Sequence, residues 1–144
     1  MPQTIRVAHS PDSDDAFMFY GLASGAVSAE GFRFVHELSD IETLNKAARE
    51  GRYEITALSV HAYPYLADKY MLLDSGASFG DGYGPAIVVP ARSQVVRLED
   101  LAGRRIAIPG VRTSAALVRS MRPKSLPGKR ETKLRTIAAT NTAV

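Results

Sequence analysis

The chain has 144 residues, 45% of them hydrophobic and 23% charged, with a formal net charge of +3; this is the composition of a soluble globular protein long enough for one ordinary core. It contains no cysteine, which excludes disulfides, thiolate metal sites and a cysteine nucleophile. No apolar run approaches the roughly 20 residues that span a bilayer, and MPQTIRVAHSPDSDD lacks the apolar stretch of a signal peptide, so no membrane attachment and a cytoplasmic location are expected.

Taken in order, the elements alternate between strand and helix. TIRVAH (4–9) alternates in polarity and predicts a strand. Ser13 or Asp14 is placed to cap a helix that runs to about Ala23 and stops at Gly25, with FMFYGL (17–22) as its buried face. FRFVHELS (32–39) has period two and predicts a second strand, with His36 on its solvent face. DIETLNKAAREG (40–51) predicts a helix capped by Asp40, with Ile41, Leu44, Ala47 and Ala48 as its apolar stripe and Gly51 as its stop.

EITALS (54–59) predicts a third strand, followed by a short helix or turn broken at Pro64. YMLLDSGAS (70–78) and GPAIVVPA (84–91) predict two more strands around the glycine-rich SFGDGYG (78–84), which reads as a hinge or cleft-edge loop with Tyr83 facing the cleft. LEDLAG (98–103) predicts a helical turn, RRIAIPG (104–110) a buried strand, and Thr113 or Ser114 the start of a last helix. Such alternation argues for an α/β layered sheet with mainly parallel strands.

All the excess positive charge lies at the end. Residues 121–144 carry six Lys and Arg against Glu131, whereas residues 1–120 carry 12 against 14 acids. A basic tail with two prolines and no aromatic residue predicts disorder, and makes a nucleic-acid partner a weak expectation.

In parallel α/β sheets ligands bind where strands end and helices begin. Three such junctions here carry hydroxyls: Ser10 and Ser13 after the first strand, Ser59 after the third, and Thr113 with Ser114 after RRIAIPG. Each one alone is explained as a cap on its own helix; three in one chain favour a pocket for a small anion or carboxylate. His9, His36 and His61 are the only histidines, and no spacing among them suggests metal ligation. Asp12, Asp14 and Asp15 lack the downstream glutamate of a calcium loop and are read as N-terminal helix acids. No cofactor or metal is expected.

SPDSDDAFMFYGL (10–22), DIETLNKAAREGRYEITALSVHAYPYLADKYMLLDSGASFGDGYGP (40–85) and LAGRRIAIPGVRTSAAL (101–117) together resemble the menaquinone-biosynthesis family that includes dihydroxynaphthoate synthase and chorismate dehydratase. The resemblance covers about residues 5 to 119 and is nearer the synthase branch. It implies the two-lobed fold of type 2 periplasmic binding proteins, with a small carboxylate substrate held in the cleft between lobes. It also implies cleavage of cyclic dehypoxanthine futalosine to 1,4-dihydroxy-6-naphthoate by a carbon–carbon lyase. Ala57, Leu58 and Ser59 match the family's substrate-contacting segment, and Thr113 and Ser114 its paired hydroxyls.

Two departures stand against that pattern. An acid at Asp14 replaces the commoner asparagine, and no histidine follows His61, whereas the family's general base is a histidine in the second lobe. The expected organisation is therefore a first lobe at 1–91, the start of a second lobe at 92–120, and a tail at 121–144, the second lobe being cut short by truncation or a shifted frame. A non-catalytic carboxylate-binding protein of the same fold is the alternative, and homodimerisation is left open.

Overall fold

The computed structural model describes residues 1–79, 81, 86–120 and 134–137, with side chains described through Leu117. The expected roles of Tyr83 and of the tail at 121–133 and 138–144 lie outside the described residues. Two compact units are present. The first contains residues 1–78 and 108–120, and the second contains residues 79–107 together with the strand Leu134–Ile137.

In the first unit three parallel strands form a sheet in the order β2-β1-β3: β1 is Gln3–His9, β2 Phe32–Leu38 and β3 Ile55–Thr56. The register runs from Gln3↔Phe32 to His9↔Leu38 on one side of β1, and pairs Val7↔Ile55 and Ala8↔Thr56 on the other. Parallel neighbours require crossover connections. Helices α1 (Ser13–Ala23) and α2 (Ile41–Arg49) lie in those connections.

The second helix follows its sequence closely. Asp40 accepts a hydrogen bond from the Thr43 backbone N–H at 3.0 Å and another from its hydroxyl at 2.6 Å. Gly51 adopts φ 65° just past the end, a conformation that favours glycine. Leu44 and Ala47 pack with Ala8 and Tyr53, while Ala48 packs with Ala62 and Leu66. The first helix departs from expectation. Phe17 is 85% exposed and Tyr20 68% exposed, so FMFYGL is not a buried face. Its inward residues are Asp15, Met18, Phe19 and Leu22, which recur at helical spacing.

The helix α1 reaches the C-terminal half of one sheet face, where Phe19 stacks on His9 with ring centroids 4.4 Å apart. The N-terminal half of the strands carries a shallow apolar trough of about 290 Å³ lined by Ile5, Phe32, Phe34, Glu54 and Ile55. Arg6 in β1 grips Glu54, which immediately precedes β3, with two side-chain N–H groups, at 2.8 and 3.1 Å, and its backbone N–H, at 2.8 Å. Those bonds pull the Glu54 carboxyl down to about 2.

Three predicted strands are corrected or shortened. EITALS contributes only two paired residues, residues 70–78 are irregular, and RRIAIPG is irregular at 104–110. An extended apolar run becomes a strand only where a neighbour offers a ladder; among the described residues β1 offers one to Ile55–Thr56, and no strand pairing is present at 70–78 or 104–110. In the second unit, β4 (Ile87–Pro90) pairs in parallel with β5 (Leu134–Ile137) from Ile87↔Leu134 to Pro90↔Ile137. One strand thus lies inside the segment whose composition predicted disorder. Leu98–Leu101 is a 3-10 turn whose entry is held by Asp100, accepting from the Val96 and Arg97 backbone N–H groups at 3.0 and 2.9 Å. In the first unit, α3 spans Ser114–Ser120. No helix among the described residues is long and apolar enough to cross a membrane.

Leu44→Ala removes a fully buried side chain and is expected to lower unfolding stability by about 2–5 kcal/mol, measured by urea denaturation. Glu54 has a depressed folded pKa, so its stabilising effect is present above about 4.5, its ordinary value, and is lost as the pH falls toward 2. Comparing urea midpoints of wild type and Glu54→Gln between pH 7 and 2 is expected to show a gap that closes in that window.

Candidate functional site

The C-terminal ends of three parallel strands necessarily lie at one edge, and their last backbone groups have no further ladder to enter. Side chains take over that role. At the end of β1, Ser10 is 7% exposed. Its N–H donates to Asp15 Oδ2 at 2.6 Å, and its C=O lies 3.0 Å from His9 Nδ1. The Ser10 hydroxyl oxygen accepts the Asp12 N–H at 3.2 Å. Asp12 holds the N-cap position of α1 without a side-chain capping bond, so the buried acid that matters here is Asp15.

At the end of β3, Ala57 N–H donates to Ala8 C=O at 2.8 Å and its side chain packs on the Ala8–Leu44 cluster. Leu58 packs against the Ala48–Ala62–Leu66 cluster. Ser59 is buried and held by Asn45 in both directions: its N–H donates to Asn45 Oδ1 at 3.1 Å, and its hydroxyl oxygen accepts from Asn45 Nδ2 at 3.2 Å. Asn45 follows Ile41 by four residues and precedes Ala48 by three. A polar residue on that apolar stripe was the signal that sequence reasoning passed over.

These bonds decide what each hydroxyl has left to offer. Ser10 and Ser59 each accept an N–H, so each retains its own proton for a ligand oxygen. Thr113 differs. Its hydroxyl donates to Gly110 C=O at 2.8 Å and accepts the Ala116 N–H at 3.3 Å, so it serves as the cap of α3. Ser114 is exposed on the first turn of that helix. It lines an open groove of about 630 Å³ with Val60, His61, Pro64, Tyr65 and Leu117. His61 Nδ1 sits 3.1 Å from Thr113 C=O and so carries the ring proton, leaving Nε2 as an acceptor. The Arg112 guanidinium lies 3.8 Å from the centroid of the Tyr65 ring.

The loop before α3 is seated on α2. A Cβ at Gly110 would overlap the Glu42 carboxyl group and come within 2.6 Å of Glu42 Cβ, so only glycine fits. Glu42 Oε2 is buried there with no hydrogen-bond partner among the described residues, while Oε1 lies 3.7 Å from Lys46 Nζ.

The expectation that His36 faces solvent is wrong. It is half-buried, with Nδ1 3.0 Å from His9 Nε2, because register puts it on the same sheet face as His9, beneath Phe19. Burial, and then the neighbouring His9 ring, lower its pKa from the ordinary 6.5. No three metal-ligating side chains cluster among the described residues.

The chain matches the family model described as menaquinone biosynthesis over residues 5–139. It is 40% identical over 119 residues to a 1,4-dihydroxy-6-naphthoate synthase of Thermus thermophilus, covering 83% of this chain and 42% of that protein. It is 31% identical over 115 residues to the synthase of Streptomyces coelicolor, covering 80% of this chain and 39% of that one. The crystal structure of a protein from Archaeoglobus fulgidus is similar at 55% identity and a TM-score of 0.55, over 58% of this chain and 31% of the other. The chain belongs to the menaquinone-biosynthesis family, and it spans about two fifths of the length of the curated relatives it matches.

Asn45→Ala leaves the buried Ser59 N–H without its acceptor and is expected to cost about 1–3 kcal/mol in urea unfolding. A histidine whose pKa is lowered on folding contributes fully above its unfolded value near 6.5. That contribution is lost as the pH drops below it, because the unfolded chain then binds more protons. Unfolding midpoints measured from pH 8 to 5 are expected to fall below pH 6.5, and to fall less in His36→Asn.

Proposed function

We propose that this chain forms the substrate-binding part of a 1,4-dihydroxy-6-naphthoate synthase-like lyase acting on cyclic dehypoxanthine futalosine. In this reading the fold is that of a type 2 periplasmic binding protein, with one lobe mostly present, and the protein works in the cytoplasm without a cofactor. The observation that carries the reading is the pair of buried serine hydroxyls at adjacent strand ends, Ser10 and Ser59, each held by an accepted hydrogen bond that leaves its proton for an anionic oxygen. Support comes from the synthases to which the chain is 40% and 31% identical. Ser114, His61 and Arg112 beside the open groove add a donor, an acceptor and a cation next to the aromatic face of Tyr65.

The second reading is a carboxylate-binding protein without turnover. It is favoured by one observation: Ser10 and Ser59 offer hydroxyl donors at adjacent strand ends, which suffice to hold a carboxylate without any chemical step. Mass-spectrometric assay of cyclic dehypoxanthine futalosine consumption separates the two. Release of 1,4-dihydroxy-6-naphthoate supports the lyase; saturable calorimetric binding of that product without turnover supports the binder; neither signal defeats both. Ser59→Ala is expected to weaken product binding about tenfold or more, since a hydrogen bond to a charged oxygen is lost. Thr113→Ala is expected to act through stability instead, lowering it by about 1 kcal/mol through loss of the cap.

A further inference from the structure

The hydrogen-bond chain at the end of β1 assigns both imidazole protons. Ser10 C=O can only accept, so His9 Nδ1 carries the proton. In the neutral ring His9 Nε2 is then bare and accepts from His36 Nδ1 at 3.0 Å. That leaves His36 Nε2 as a bare nitrogen, and it is buried with no hydrogen-bond partner among the described residues. A proton added at this nitrogen breaks none of the existing bonds. The chain Ser10 C=O, His9, His36 persists in the charged form and is strengthened by it.

We propose that His9 and His36 form a proton-accepting pair that positions Ser10, with His36 Nε2 taking up a proton when a carboxylate binds at the C-terminal edge of the sheet. The coupling half of this proposal rests on the carboxylate reading of the site; the positioning half does not. The charge relation is direct. Ser10 is fixed from both sides, its N–H by Asp15 and its C=O by His9. An anion held by its hydroxyl therefore sits one residue from the pair. With burial disfavouring the cation, a nearby negative charge is what makes uptake favourable.

The groups that bear on the pair are few. From α1 come Asp15, bonded to Ser10, and the uncharged Phe19 stacked on His9. Glu37 of β2 is engaged through Tyr53 Oη, and Asp40 beyond it through Thr43. Tyr53 donates at 3.1 Å. On the far side of β1, β3 contributes Ile55 and Thr56, neither of them titratable.

The test uses the whole chain in two arms. In long-range proton–nitrogen NMR of the ligand-free protein at pH 7.5, both rings are expected to carry hydrogen on Nδ1, with His36 titrating at Nε2 below the ordinary histidine value. An Nε2–H on either ring, or His36 titrating at that ordinary value, overturns the pair. In the second arm 2-naphthoate is titrated calorimetrically from pH 8 to 6 in buffers of different ionisation enthalpy, with chloride as the control anion. Net proton uptake is expected, with affinity rising about fivefold or more toward pH 6. In His36→Asn, which retains an N–H donor but no titratable nitrogen, uptake and pH dependence should disappear together. Binding without uptake overturns the coupling. Absence of 2-naphthoate binding alongside the expected ring protonation overturns the carboxylate reading and the coupling with it, and supports the positioning role alone.

Discussion

Every other feature of the first unit follows from the position of β1, which has a parallel neighbour on each side. Parallel pairing sends the chain back across a face of the sheet before each new strand, and it gathers the three strand ends at one edge. There the ladder runs out while the backbone groups are still largely buried, and an unpaired buried amide or carbonyl is costly. Asp15, His9 and Asn45 meet that cost for Ser10 and Ser59. The polar residues at this edge are structural before they are functional.

That structural duty also decides the chemistry the edge can offer. A serine whose oxygen accepts an N–H keeps its proton, whereas a threonine that caps a helix by donating backward does not. Three hydroxyls that look equivalent in sequence thus divide into two available donors, Ser10 and Ser59, and one cap, Thr113. Ala57 and Leu58 pack their side chains against the two core clusters. The loop before α3 is held close by the bare backbone of Gly110 against Glu42 and by His61 on the Thr113 carbonyl.

Much of the fold was legible from local pattern. The α2 stripe, its Asp40 cap and its Gly51 stop depend on spacing of 3.6 and on short-range bonds, and they stand where periodicity put them. So do β1 and β2, and with β1 the strand-to-helix junction at Ser10, whereas the stretch before Thr113 is irregular rather than a strand. What local pattern could not supply was the presence of a partner. YMLLDSGAS and RRIAIPG have strand-like composition yet stay irregular, because β propensity describes a residue's fit to a pleated neighbour rather than a preference of the isolated chain. Likewise FMFYGL reads as a buried face only if something covers it, and Phe17 and Tyr20 remain exposed.

The sequence by itself determined the alternation of β1, α1, β2 and α2 and the absence of thiol chemistry, since both follow from residue type and near-neighbour spacing. Only the tertiary structure decided which hydroxyls keep their protons, that Asp15 and Asn45 are inward-facing partners, and that His9 and His36 share one hydrogen bond. Those facts depend on strand register. His9 and His36 lie 27 residues apart and meet because Val7 pairs with His36 and His9 with Leu38, and sequence spacing carries no record of a contact that long-range pairing creates.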